Sequence, residues 1–433
     1  MNRKLILFLT IIIIAGIVNI NAQQATVALE SSSSTAKFDE LRSRGFDALY
    51  NLDYDGARRT FNELAKLYPS HPAGMQFLAA TLWAQTLNDS RRLQASLYNN
   101  EGFYSKTEDK VDPKVIAEFK DLTLKAKNLS LARIKQNPKD VEAMYFLGAT
   151  EGLKAAFEGA VQRSFIAALR DGQNSVERHR NVIKMDPEFH DAELTIGLYD
   201  YVVGGLPLPI KLLASLTGAR GSKRRGLETL QRVAHSGKWA RDDACTVLIA
   251  LLKRENRFND ALALSRTLSA KYPRNYLFKL ETADALVSQA AVDRNGKATL
   301  AASEQREAIQ ILDELLRDRS MRSAAIHSLD LIHFRYGEAL LTAGQPEQAA
   351  KEFLLTTAVP NAQSGLATMS LLRAAQAQDV AGKRTEALAN YRAVLARPDV
   401  YDAHDEARSG IRQAYRLPAE NKAQMVQANL DSN

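Results

Sequence analysis

Residues 38–71 read FDELRSRGFDALYNLDYDGARRTFNELAKLYPSH. With Phe38 as the first position, Leu41, Gly45, Ala57, Phe61 and Pro69 stand at positions 4, 8, 20, 24 and 32. Cys245, Ile249, Ala261, Ser265 and Pro273 fill the same positions in 242–275. Gly337, Ala349 and Phe353 repeat positions 8, 20 and 24, and Ala375, Ala387 and Tyr391 repeat them again 38 residues further on. A shared register of this length predicts two antiparallel helices per unit. A small residue at position 8 lets the first helix approach the second, and alanine at position 20 answers it. The aromatic at position 24 fills the gap, and proline ends the second helix.

This pattern resembles the tetratricopeptide repeat, whose helical hairpins stack into a solenoid. Other units are interrupted. Ala143 to Gly148 open one whose closing segment, Val182 to Pro187, comes about fifteen residues late. Met75, Leu78, Ala79 and Leu82 open another that closes only at Pro138. Because Val115 to Gln136 keeps apolar residues at helical spacing, the insertions read as lengthened or extra helices. The expected architecture is all-α, with about eight hairpins over 37–417 and a polar tail at 418–433.

Composition agrees. Of 433 residues, 45% are apolar and 25% charged, which is ample for an extended core. Only 22 Gly and 12 Pro leave little punctuation for an all-β chain. The single cysteine, Cys245, permits neither an internal disulfide nor a multi-cysteine metal site, and its core position marks it as a small buried hydrophobe.

The N-terminus has a different character. Asn2-Arg3-Lys4 precedes an apolar run from Leu5 to Val18, and Ala22 offers a small residue before Gln23. Residues 1–22 therefore read as a secretory signal peptide, with a Ser-rich linker over 23–36. The alternative, a retained anchor, would be short against the about 20 residues of a membrane span. Export to the periplasm or beyond is expected. Loss of Arg3 and Lys4 takes the 57 basic residues to 55 against 50 acidic ones, a net charge of +5. So mild an excess is no nucleic-acid signature.

One stretch breaks the repeat. At 201–225, Pro207 and Pro209 must interrupt any helix, and an apolar segment follows from Ile210 to Thr217. Next comes a Gly-rich turn with Arg220, Lys223, Arg224 and Arg225, and no acid lies between Asp200 and Glu228. Gly197, Leu206, Pro207, Leu213, Gly218, Gly221, Gly226 and Leu227 resemble the eukaryotic tetratricopeptide repeat protein 39 family over roughly 190–290. That resemblance implies a helical adaptor with no catalytic residues to transfer, and the export signal departs from the family's cytosolic setting. Two readings of 201–225 stand side by side. One is an amphipathic element touching an anionic partner or, peripherally, a membrane. The other, which we prefer, is a packed cap with a solvated basic turn, because cations at a helix start gain nothing from its dipole.

Catalytic and metal constellations are missing from the sequence pattern. His71, His179, His190, His235, His327, His333 and His404 form no H-E-x-x-H pair. His190, Asp191 and Glu193 would point apart on a helix, and His327, Asp330 and His333 share a side only loosely. No nucleophile elbow or phosphate loop occurs, so no enzyme activity, metal or cofactor is expected.

The repeat register, as the family resemblance implies, would set Arg42, Phe46, Gln76, Trp83, Tyr145, Tyr201, Phe334, Glu338 and Gln376 along the concave face. That mixture suits an extended peptide or a helix. The function expected is an exported scaffold or adaptor for a protein or peptide. The alternative is a periplasmic ligand-binding or transport-accessory protein holding a small apolar or acidic molecule. An open groove favours the first and an enclosed cavity the second. The partner's identity and the oligomeric state are not written in the sequence.

Overall fold

Helices α1 (35–50) and α2 (Tyr54–Leu67) make the first hairpin of a computed structural model that describes residues 35–89, 111–162, 164–206, 220–293, 298–360 and 362–417. No strand occurs among the described residues. Leu41, Ala57, Phe61 and Leu64 are wholly buried in the hairpin. A Cβ on Gly45 would stand 2.6 Å from Phe61 Cζ, so only a hydrogen fits where the ring crosses the first helix. The contact recurs between Gly337 and Phe353, at 2.7 Å, and Gly410 of the helix after α17 meets Tyr391 Cε1 in the same close way from the next unit, at 2.5 Å. Ala57, Ala261, Ala349 and Ala387 are all fully buried. The repeat positions are therefore the contact points of the hairpin.

Seven further hairpins follow, giving eight among the described residues. They are α3 (Ala73–Asp89) with α4 (Pro113–Gln136), α5 (Val141–Ala160) with α6 (Phe165–Met185), α7 (Glu193–Gly204) with α8 (Lys223–Ser236), and α9 (Arg241–Arg254) with α10 (Phe258–Lys271). Then come α11 (Tyr276–Asp293) with α12 (Ala298–Arg317), a short link α13 (Arg319–Ala324), α14 (Leu329–Thr342) with α15 (Pro346–Ala358), and α16 (Ser364–Val380) with α17 (Arg384–Leu395). Helix α18 (Ala403–Arg412) is the last described element. The late closings expected at Pro138 and Pro187 are the ends of the long helices α4 and α6. Side-chain caps start several helices: Asp53 accepts from the Gly56 amide at 2.8 Å and Asp140 from the Ala143 amide at 2.9 Å.

A fifth repeat position, not read from the sequence, sets the turn within the hairpin. Leu52, Asn256, Gly344 and Gly382 all occupy position 15, and all four have positive φ, at 62°, 57°, 80° and 77°. The left-handed residue lets the chain reverse in three residues between first and second helix. Asn and Gly adopt it readily, whereas Leu pays strain. Leu52 packs against the apolar cluster of α11, α12 and α14, a contact that holds the strained turn in place.

First helices touch their successors at α3 with α5, α11 with α14, α14 with α16 and α16 with α18, while successive second helices meet marginally or not at all. The array therefore curls with its first helices inside. The curl returns the tip of hairpin 1 to hairpins 5 and 6, across 193 to 225 residues of chain. There the Tyr50 hydroxyl donates to Asp243, and its ring stacks on Tyr272 at 4.9 Å. The Asn275 amide donates to the Tyr50 carbonyl at 2.7 Å, and the Arg274 backbone N–H donates to Asn51 at 3.2 Å.

Candidate first-helix groove

The inward space of the curl divides into a filled part and an open part. Trp239, in the turn between α8 and α9, fills the first. Its ring lies within 5.6 to 5.8 Å of Tyr145, Phe146 and Phe189, and the Arg42 guanidinium sits 5.6 Å from it. Asp191 fixes the turn by accepting from the backbone N–H groups of Trp239 and Ala240, each at 2.8 Å. Burial pushes Asp243 up to about 6, with a hydrogen bond from Tyr50 opposing the shift and the charges of Asp242 and Asp191 adding to it.

The open part lies over hairpins 6 to 8, where first helices carry a ladder of charges. Buried Lys253 pairs with Glu281 at 2.6 Å and with Asp284. Arg335 reaches Asp284 at 3.5 Å and Glu338 at 2.6 Å. Arg373 approaches Glu338 at 3.5 Å and donates to Gln376 at 3.1 Å, and Gln376 donates to Glu406 at 2.9 Å. Burial works against the charge on Asp284, but Arg335 and Lys253 outweigh it and hold the carboxyl at about 2. Beside this ladder is a cleft of about 180 Å³, walled by Val287, Leu312 and Leu341 and edged by Ser288, Thr342 and Arg373. Arg373 is the most open cation of the ladder, with 35% of its side chain exposed and only a long contact to an acid.

Against this geometry, the nine residues expected on a concave surface separate. Glu338 lies in the open groove, and Gln376 lies beneath it, itself buried. Tyr145, Tyr201 and Phe334 are buried, which corrects the expectation that they face a partner. Tyr145 packs on Trp239 and His179, and Phe334 lies 5.6 Å from Phe353. Tyr201 donates to Glu255 at 2.7 Å. Arg42 sits against the Trp239 ring, and Phe46 packs on the Phe61 and Phe77 rings. Gln76 and Trp83 are half-buried on α3. Trp239 itself gave no repeat signal, because it stands in a turn outside the register.

The basic turn is also corrected. It is neither unpaired nor merely solvated: Arg225 forms a fork to Asp200 at 2.5 and 2.8 Å, Lys223 reaches Glu255 at 2.8 Å and Arg224 reaches Glu228 at 2.9 Å. Acids remote in sequence are neighbours in space, and Arg220 alone of the four makes no ion pair among the described residues. Residues 207–219, including the apolar segment from Ile210 to Thr217, lie outside the described residues. Cys245 is buried among Ile249, Leu268, Tyr272 and Phe278, and burial raises its thiol, as a structural cysteine requires. Asp330 is fully buried and accepts from the backbone N–H groups of Leu331 and Gln363, while His333 turns to Glu352 at 2.7 Å. No group of three His, Cys, Asp or Glu side chains among the described residues is placed to hold a metal.

Residues 47–71 match the family model described as tetratricopeptide repeat. No curated protein matches the chain. Solved structures similar to it include a human IFIT1 dimer with m7Gppp-AAAA, 13% identical, covering 92% of this chain and 91% of that one at a TM-score of 0.44. Another is yeast Tom70, 10% identical, covering 93% and 98% at a TM-score of 0.32. The narrower likeness to the tetratricopeptide repeat protein 39 family finds no support in these matches. With a matched repeat at 47–71 and the Gly45–Phe61 contact of that hairpin recurring between Gly337 and Phe353, the chain carries tetratricopeptide-type helical hairpins.

Proposed function

We propose that the protein is a non-catalytic scaffold that binds a peptide segment of a protein partner along the first helices of hairpins 6 to 8. The observation that carries this reading is the cleft beside Arg335, Glu338 and Arg373, where apolar walls adjoin a loosely paired guanidinium. A segment laid there would set an apolar side chain between Val287 and Leu341 and exchange a polar group for the long Arg373–Glu338 contact. Its volume of about 180 Å³ is smaller than the roughly 300 Å³ at which small-molecule pockets begin, so this cleft suits one side chain of a peptide rather than a small molecule. A net charge of +5 on the chain from Gln23 is a mild excess, which favours a protein partner over a nucleic acid.

Selection of peptides from a display library on the chain beginning at Gln23 tests this reading. Binding of the selected peptides should weaken at least tenfold with Arg373→Glu and with Thr342→Trp, which would fill the cleft. Peptides indifferent to both changes would place the site elsewhere. Export belongs to the same proposal, resting on the apolar run Leu5 to Val18 before Ala22. N-terminal sequencing of protein from the native host should begin near Gln23, and an intact Met1 in the membrane fraction would overturn it.

A further inference from the structure

The tip of hairpin 1 closes the curl over a carboxyl group, and we propose that this closure is proton-linked: the tip holds tightly while Asp243 is protonated and loosens when Asp243 ionises. Tyr50, Asn51 and Leu52 form the latch. The Tyr50 ring stacks on Tyr272 and its hydroxyl donates to Asp243, Asn51 accepts from the Arg274 backbone N–H, and Leu52 packs on the cluster of α11, α12 and α14. Leu52 does so in the left-handed region, at a φ of 62°, so the latch carries strain that these contacts must offset.

Asp243 is poorly supplied for a charge in that place. A carboxylate accepts at about four sites, and among the described residues the Tyr50 hydroxyl is the one side chain that donates to it, with no cation paired to it. Its neighbours are acidic, neutral or already engaged. On α9, Asp242 accepts from Lys271 and Tyr272, each at 2.6 Å, and Arg241 turns back to the Gly237 carbonyl at 3.1 Å. Before α7, Asp191 accepts from the Trp239 and Ala240 backbone. On α1, Asp47 accepts from Asn51 at 3.3 Å, and Arg42 lies against Trp239 and pairs with Asp39 at 3.4 Å. Tyr145 of α5 is neutral. The first turn of α9 favours a negative charge, but Asp242 shares that turn. Burial, then the charges of Asp242 and Asp191, push the Asp243 carboxyl up to about 6 against the Tyr50 hydrogen bond. An open tip returns the group to water, where an aspartate titrates at about 3.9. The closed form thus holds the proton more tightly than the open one, so closure is strongest below about pH 4 and weakens as pH rises through 6.

Amide hydrogen exchange of the chain from Gln23 tests the proposal, read as protection factors so that the intrinsic pH dependence of exchange is removed. From pH 4.5 to 7.5 the opening of α1 should rise about twentyfold, the change that titration at about 6 when closed and about 3.9 when open produces over that range. Helices α16 and α17 should not share it. Asp243→Asn keeps an acceptor for Tyr50 and cannot ionise, so its α1 protection should be the same at both pH values. Asp242→Asn should move the midpoint to lower pH, because one of the charges that raises Asp243 is gone. If Asp243→Asn failed to fold, α16 and α17 would lose protection too, and the unmodified chain together with Asp242→Asn would decide the matter. Three results would overturn the proposal: α1 protection that ignores pH in the unmodified chain, a change spread evenly over all hairpins, or a midpoint unmoved by Asp242→Asn. A pH dependence that survives Asp243→Asn would also sink it, and would assign the effect to His71, which packs on Phe38 at 4.7 Å and pairs with Glu142 at 3.1 Å.

Discussion

Gly45→Ala puts the repeat register to a direct test. The new methyl would stand 2.6 Å from Phe61 Cζ and 2.7 Å from Phe61 Cδ1, well inside contact. The ring has nowhere to go, because it is fully buried and Phe46 and Phe77 lie at 5.3 and 5.1 Å on its flanks. Alanine in a helix interior gains about 1 kcal/mol over glycine. Overpacking of a closed core costs about 1–3 kcal/mol, and a rigid ring places this site at the upper end. A net loss of roughly 1–2 kcal/mol is expected. Gly365→Ala is the control, since its nearest neighbour would be Val400 Cγ1 at 3.8 Å and only the helix gain remains. Adding Phe61→Leu to Gly45→Ala should recover part of the loss, because the smaller side chain vacates the contact. Urea unfolding followed by far-ultraviolet circular dichroism measures all three. A Gly45→Ala protein as stable as the unmodified chain would refute the close contact and the register built on it.

Four further outcomes follow from particular contacts. Ala349→Leu, at the fully buried position 20 of its hairpin, should cost about 1–3 kcal/mol by the same unfolding assay. Lys253→Ala would strand Glu281 and Asp284 with Arg335 as their remaining cation, and a loss of about 3–5 kcal/mol is expected; less than 1 kcal/mol would show that the pair is not desolvated. Asp243 titrates near 6 when folded against about 3.9 unfolded, so the folded state holds its proton more tightly. That stability is present below about pH 4 and is lost as pH rises through 6, roughly 3 kcal/mol in all, and Asp243→Asn should remove this slope from stability measured between pH 4 and 7. Tyr50→Phe combined with Asn275→Ala should speed amide hydrogen exchange in α1 while leaving α16 and α17 unchanged; uniform exchange would mean that the tip of hairpin 1 gains nothing from the closure.

Much of this architecture was legible because it is local. Gly45 and Phe61 are 16 residues apart, Gly337 and Phe353 equally so, and a helical hairpin brings such positions together whatever the rest of the chain does. Burial of Cys245 and the extension of α4 and α6 could be read for the same reason, from apolar spacing within one element. What Arg42 and Phe46 would meet was not readable.

Tertiary structure decided the rest. Each hairpin adds a small rotation to the curl, and the accumulated rotation determines which distant elements meet. No single residue records that sum. It brings Tyr50 to Asp243 and Trp239 to Arg42, and so closes the first part of the inner face while leaving the groove over Glu338 open. It also pairs Lys223 with Glu255 and Arg225 with Asp200, so that a run of cations bare of acids in sequence is largely paired in space. A repeat of 34 residues specifies the hairpin, whereas the pitch of the stack belongs to all the interfaces together.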